Sequence, residues 1–322
     1  MIIKLFSILM FFLLAELTIA QNISVPSTVA FTIYEKDLIP EGITYDPVTH
    51  QFFVSSINKE KVVAINEKGI ARDFLQSGQD GILQTLGMKV DVQNRRLWIV
   101  SNKQGNEGSA SFVHVFNIES GTLIKKFILA KDTIHLFNDL ALTSQGDAFI
   151  TDSYSDVIYT VPADLTELKP FIKSGQFLKW SNGLTVSPDN ALLYVATGAG
   201  IVIIDLQTLD IKPMRKPESI ITSGIDGLVF YKGSLIGVIN SKDYESEMYI
   251  ASYKLSHDLR EITGSSIIDK GNPLFNLPTT CVMADDYLYC LANTSLRIFL
   301  QKKVNYENDL HNPVILKYKI AD

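Results

Sequence analysis

Oxygen-bearing side chains recur in one local setting along this chain. Glu41 opens Glu41-Gly42-Ile43, Asn138 opens Asn138-Asp139-Leu140, Asn182 opens Asn182-Gly183-Leu184, and Asp226 opens Asp226-Gly227-Leu228. Leu86-Gly87-Met88 and Thr280-Cys281-Val282 complete a series of six whose starts lie 45, 52, 44, 44 and 54 residues apart. If the first positions meet at one point, the carboxylates of Glu41 and Asp226 repel each other and lose solvation. A divalent cation removes that cost. Two carboxylates match its charge, and the amides of Asn138 and Asn182 add oxygen ligands without charge. An all-oxygen set selects a hard cation. Ca²⁺ fits better than Mg²⁺, which keeps its waters, and another divalent ion is the alternative. Zinc selects nitrogen or sulfur, and none of the five histidines stands at a first position. Four protein ligands leave positions open for water or substrate, because Ca²⁺ takes about 6–8. Each motif alone is also a turn signal, Asn182-Gly183 above all. The recurrence in register carries the metal reading.

The elements that must position these residues are short strands. Apolar runs follow each motif: Phe52-Phe53-Val54, Leu97-Trp98-Ile99-Val100, Ala148-Phe149-Ile150, Leu192 to Ala196, Leu235 to Val238 and Tyr287-Leu288-Tyr289. Asp46-Pro47, Asp91 to Asn94, Gln145-Gly146-Asp147, Pro188-Asp189-Asn190 and Lys232-Gly233 separate strands as turns. No long amphipathic helix stands out. A period of roughly 40–50 residues with several strands per unit marks propeller blades. The expected fold is therefore all-β, a six-bladed β-propeller forming a single domain over residues 21–322. Innermost strands line the channel of such a ring. The third motif residue, aliphatic throughout, would pack between blades. The second, usually glycine, keeps the backbone close to its neighbours. The first would ring the channel mouth. Val314 to Tyr318 and Val29 to Ile33 are expected to share a blade and close the ring.

Residues 1–20 stand apart from the repeat. Lys4 precedes an apolar run from Leu5 to Ala15, and Thr18-Ile19-Ala20 offers a small-residue cleavage site. This is the pattern of a secretory signal peptide. The competing reading, a membrane anchor, needs roughly 20 apolar residues, and Glu16 interrupts the run. The expectation is a secreted protein, extracellular or periplasmic, off the membrane after cleavage and monomeric. Net charge is −6 without clustering, so the basic stripe of a nucleic-acid binder is missing. Cys281 and Cys290 flank a turn at Asp285-Asp286, which would set them opposite each other. Whether they form a disulfide depends on the type of cross-strand pair and stays open. Asn22-Ile23-Ser24 and Asn293-Thr294-Ser295 are glycosylation sequons.

The motifs resemble those of the calcium-dependent six-bladed propellers that include senescence marker protein/regucalcin, gluconolactonases, diisopropyl fluorophosphatase and the paraoxonases. Pro40-Glu41-Gly42 is similar to that group's first-blade motif. Phe137 to Leu140 with Gly146 to Ser153 is similar to the third, Ser181 to Leu184 with Ser187-Pro188-Asp189 to the fourth, and Ile225 to Leu228 to the fifth. The resemblance implies Ca²⁺ held by Glu41, Asn138, Asn182 and Asp226. It also implies hydrolysis of lactones, esters or phosphotriesters, with Asp226 as nucleophile or as the base that activates water. The sequence departs from the group at Leu86 and at Thr280, where no histidine is placed. Trp180, His135 and Thr280 are candidates for the substrate pocket. Trp180 is equally readable as a packed core or inter-blade residue, and the plainer reading of His135 is a surface-loop residue. The loops Asn102 to Ser109 and Gly198 to Ile201 are candidates for setting specificity.

Three functions follow: a Ca²⁺-dependent hydrolase of a small-molecule lactone or ester, a non-catalytic propeller that binds a ligand or protein, and a strictosidine-synthase-like enzyme. The last has no reason to retain four oxygen donors in register.

Overall fold

The computed structural model describes residues 25–103, 109–130, 134–240, 248–301 and 303–320. The signal peptide and the sequon at Asn22 lie outside them. Six four-stranded antiparallel sheets follow one another along the chain, forming the expected six-bladed propeller. The innermost strands are Ile43–Asp46, Gln84–Asp91, Phe137–Leu142, Leu184–Val186, Ile225–Tyr231 and Cys281–Ala284. Each begins at or beside one of the repeated motifs. The ring closes as the two chain ends suggest. Ser27–Thr32 pairs antiparallel with Val314–Lys319, with Val29 opposite Leu316, and becomes the outermost strand of the sixth blade.

The second strand of each blade reads as a continuous apolar run because both of its faces are covered. Successive side chains point to opposite faces of a strand. Leu97 and Ile99 pack with Phe53, Val62 and Leu75 of the first blade, whereas Trp98 and Val100 pack with Phe137, Leu140 and Tyr159 of the third. The scheme repeats around the ring, and the last inter-blade core joins Phe31, Tyr289 and Ile315 to Ile43, Phe52 and Val54. Each such side chain taken fully from water contributes about 1.5–3 kcal/mol, so the cores between blades hold the ring together.

Polar clamps join blades as well. Arg95 grips Asp46 with two hydrogen bonds of 2.8 Å, linking the second blade to the first. Burial alone would raise the Asp46 carboxyl. The bonds from Arg95, Thr49 and the Val48 amide outweigh it and hold the group at about 2. Arg260 binds Asp205 at 2.7 Å between the fifth and fourth blades.

Cys281 and Cys290 are opposed, as the turn arithmetic predicts. Both are free thiols, fully buried between the fifth and sixth blades, and burial raises the Cys281 thiol to about 12. The sequon at Asn293 is built into the fold: the Thr294 hydroxyl is buried and donates to the carbonyls of Asn276 and Leu277. Among the described residues there is one α-helix, Leu296–Gln301, between the second and third strands of the sixth blade. No helix there is long and apolar enough to cross a membrane.

Candidate metal centre and adjoining pocket

The repeated glycines are contact points between neighbouring motifs. A Cβ on Gly42 would lie 2.3 Å from the Leu86 carbonyl oxygen, and one on Gly183 would lie 2.3 Å from the Asp226 carbonyl oxygen. The Gly183 amide instead donates to that oxygen at 2.8 Å, the Gly227 amide donates to the Thr279 carbonyl at 2.9 Å, and the Thr279 hydroxyl donates to the Glu41 carbonyl at 2.8 Å. Hydrogen bonds thus run from the fourth blade through the fifth and sixth to the first. The inner strands bulge at the motifs of the third and fifth blades, between Phe137 and Leu140 and between Ile225 and Leu228. Bulges re-aim side chains, and here they fall at Asn138 and Asp226.

Glu41, Asn138, Asn182 and Asp226 border a single cavity of about 10 Å³ in the channel, together with Lys89, Asp139 and Thr280. That is room for roughly one water-sized body. Glu41 and Asn138 are buried, and Asp226 and Asn182 are partly exposed. Desolvation raises the Glu41 carboxyl well above its usual range. The charges of Asp226 and Asp139 add to the rise, and Lys89 opposes it. Desolvation also raises Asp226. Hydrogen bonds from Asn240 and Asn182 counter it, and Asp139 adds to it. Two crowded carboxyls held uphill in this way form a site that favours a cation.

Asn138 is set for the same task. Its Nδ2 donates to Ser153 Oγ at 3.0 Å, and that hydroxyl donates to the Ser181 carbonyl at 2.6 Å. Its Oδ1 is buried with no hydrogen-bond partner, a costly state for an amide oxygen unless a ligand supplies a partner. Among the described residues no three His, Cys, Asp or Glu side chains cluster as a metal site. The candidate draws two of its four ligands from amides. The donor chemistry, the orphaned oxygen and the cavity size all fit Ca²⁺.

A larger cavity of about 240 Å³ adjoins this one and shares Asn138 and Asn182 with it. Trp180 borders it, 58% exposed, with its ring 6.1 Å from that of Tyr154 at 87°. The packed-core reading of Trp180 is thereby corrected. Gly198 borders the same cavity. Of the other candidate loop, residues 104–108 lie outside the described residues. Thr280 borders the small cavity instead of the large one. His135 is neither on the surface nor on the pocket wall. It is buried, with Nδ1 2.5 Å from Asp152 Oδ2, and its neighbour Leu136 borders the pocket. The short segment before Asn138 turns its apolar residue outward and locks the imidazole onto Asp152.

Asp139 and Asn240 were not singled out from sequence, and Lys89, three residues after Leu86, joins them at the site. Asp139 takes the place that glycine holds in the other donor motifs, and Lys89 Nζ lies 3.5 Å from its Oδ1. Leu86 packs into the core between the second and third blades, so Lys89 is the polar side chain that the second blade offers the cavity. Asn240 donates from Nδ2 to Asp226 Oδ2 at 2.5 Å and to the Pro278 carbonyl at 3.2 Å. A signal for it exists: second strands end in polar residues, as at Ser55-Ser56, Ser101-Asn102, Ser153, Thr197, Asn240 and Asn293.

The fold is shared with solved propellers. A gluconolactonase from Xanthomonas campestris superposes with a TM-score of 0.60 at 15% identity, over 91% of this chain and 88% of that one. A calcium-binding protein, regucalcin, from Agrobacterium tumefaciens gives 0.59 at 14% identity over 91% and 96%. The PQQ-bound aldose sugar dehydrogenase of Streptomyces coelicolor gives 0.60 at 12% identity over 91% and 98%. These likenesses establish architecture and not activity. Among curated proteins, sequence comparison finds no significant match. The model of the SMP-30/gluconolactonase/LRE-like region matches residues 39–223, more than half of the chain and the first four blades with three of the four candidate ligands. The chain belongs to the SMP-30/gluconolactonase/LRE-like family.

Proposed function

We propose that this protein is a secreted, Ca²⁺-dependent hydrolase of a small-molecule lactone or ester. The observation that carries the reading is the unpartnered Oδ1 of Asn138 beside the two raised carboxyls of Glu41 and Asp226 at a cavity of one-ion size. Glu41, Asn138, Asn182 and Asp226 would hold the ion. When bound, it would supply Lewis-acid polarisation of the substrate carbonyl and stabilise the developing oxyanion. Asp226, oriented by Asn240, takes the proton of an attacking water or attacks the carbonyl itself. Asn182 lies between the ion cavity and the larger pocket and positions the ester group at their junction. The gluconolactonase-like family supports a lactonase-type activity, and the calcium-binding neighbour supports the choice of ion. A panel of lactones, aryl esters and phosphotriesters, with Ca²⁺ or EDTA, tests the reading. Hydrolysis that EDTA abolishes and Ca²⁺ restores is expected. Hydrolysis indifferent to chelation contradicts it.

The apolar ring position at Leu86 and the engagement of His135 with Asp152 favour a second reading, a metal-stabilised propeller that binds without catalysis. Asp226→Asn separates the two. A folded, metal-loaded variant that retains full hydrolysis removes Asp226 from the chemistry, and the absence of hydrolysis in the wild type favours the second reading.

A further inference from the structure

We propose that the pocket beside the channel takes an uncharged lactone bearing an apolar substituent, packed against Trp180 and Tyr154, in preference to a polyhydroxylated sugar lactone. This rests on the hydrolase reading above and specifies its substrate. The pocket of about 240 Å³ shares Asn138 and Asn182 with the ion cavity, so a ligand seated in it has its ester within reach of the candidate catalytic group. Leu136 and Ile225 border it, together with the half-exposed rings of Tyr154 and Trp180. A tryptophan left 58% exposed in an edge-to-face pair offers a large flat apolar surface to a ligand.

Of the polar side chains bordering the pocket, Ser153, Thr197 and Asn240 already have donors engaged, and the oxygens of Asn138 and Asn182 are assigned to the ion. Ser153 Oγ donates to the Ser181 carbonyl at 2.6 Å, and Thr197 Oγ1 donates to the Gly200 carbonyl at 2.8 Å. Asn240 Nδ2 spans Asp226 and Pro278. None of the described residues bordering the pocket carries a charge. A row of sugar hydroxyls would exchange water here for fewer partners than it loses, which is costly. An apolar substituent gains by the same transfer.

The test compares glucono-δ-lactone with a δ-lactone carrying a pentyl chain, in the Ca²⁺-loaded wild type, Trp180→Ala, Trp180→Phe and Tyr154→Ala. The wild type should favour the pentyl lactone by about tenfold or more in kcat/KM. Trp180→Ala should lose about tenfold on that substrate, mainly through KM, with little change on the sugar lactone, and Trp180→Phe should recover part of the loss. Preference for the sugar lactone, or an unchanged KM in Trp180→Ala, overturns the proposal and leaves the hydrolase reading standing. If neither lactone is hydrolysed, the hydrolase reading passes to the wider panel of esters above, and fluorescence decides the pocket. Trp98 is fully buried, so Trp180 is the exposed one of the two tryptophans. Saturable quenching by the pentyl lactone that vanishes in Trp180→Phe sustains the pocket assignment, and an unresponsive spectrum overturns it.

Discussion

Asn138 gives its amide nitrogen to Ser153 Oγ, 3.0 Å away, and leaves its oxygen buried without a partner. The serine therefore decides which end of the amide faces the channel. Removing it in Ser153→Ala should allow the amide to turn, and the affinity for Ca²⁺ should fall by about 10–100-fold, the usual effect of losing a group that orients a ligand. Calorimetric titration checks this. An unchanged affinity would mean that Asn138 does not depend on Ser153 for its orientation.

Protons and the cation compete for the same carboxyls. Glu41 and Asp226 are raised in the folded chain. Without metal, they favour the folded state at low pH and lose that contribution as pH rises through their folded values. A bound divalent ion requires both ionised, so the gain in melting temperature on adding Ca²⁺ should grow from pH 5 to pH 8. Melting curves with and without Ca²⁺ check this, and an equal gain at both pH values would speak against carboxylate ligands.

The Arg95–Asp46 clamp works in the opposite direction. Asp46 is lowered from 3.8 to about 2, so the clamp stabilises the fold above the unfolded value and is lost as pH falls towards 2, roughly 2 kcal/mol in all. Arg95→Met strands a buried carboxylate and should cost about 3 kcal/mol near neutrality. In denaturant titrations the deficit should shrink between pH 4 and pH 2. A deficit that is constant with pH would assign the loss to packing.

Gly183→Ala tests the closeness of the ring. Its Cβ would meet the Asp226 carbonyl at 2.3 Å, backbone against backbone. The fourth and fifth blades must then part, costing roughly 1–3 kcal/mol. Gly264→Ala, where no atom lies within 4 Å, is the control and should be near neutral. Equal stability of the two variants would refute the tight ring.

Much of the architecture was legible because a propeller repeats its sequence signals. The motif series marked the six inner strands, and the turn at Asp285-Asp286 paired Cys281 with Cys290. The donor set was legible because its members share one phase of that repeat. His135 was not: its role depends on Asp152, brought beside it by strand pairing. Trp180 lay open to two readings because an aromatic residue in a loop looks the same from sequence whether it faces core or solvent. Asp139 and Asn240 act through neighbours on other strands or blades; the polar ends of the second strands mark the position of Asn240, but the contacts themselves leave no local mark in the sequence.

Elemental analysis of the purified protein, after dialysis against Ca²⁺ and removal of free ion, addresses the convergence of the four oxygen donors most directly. One calcium per chain in the wild type, lost in both Glu41→Gln and Asp226→Asn while the blades remain folded by circular dichroism, is the predicted result. Calcium retained at full occupancy in both folded variants, or absent from the wild type, would contradict it.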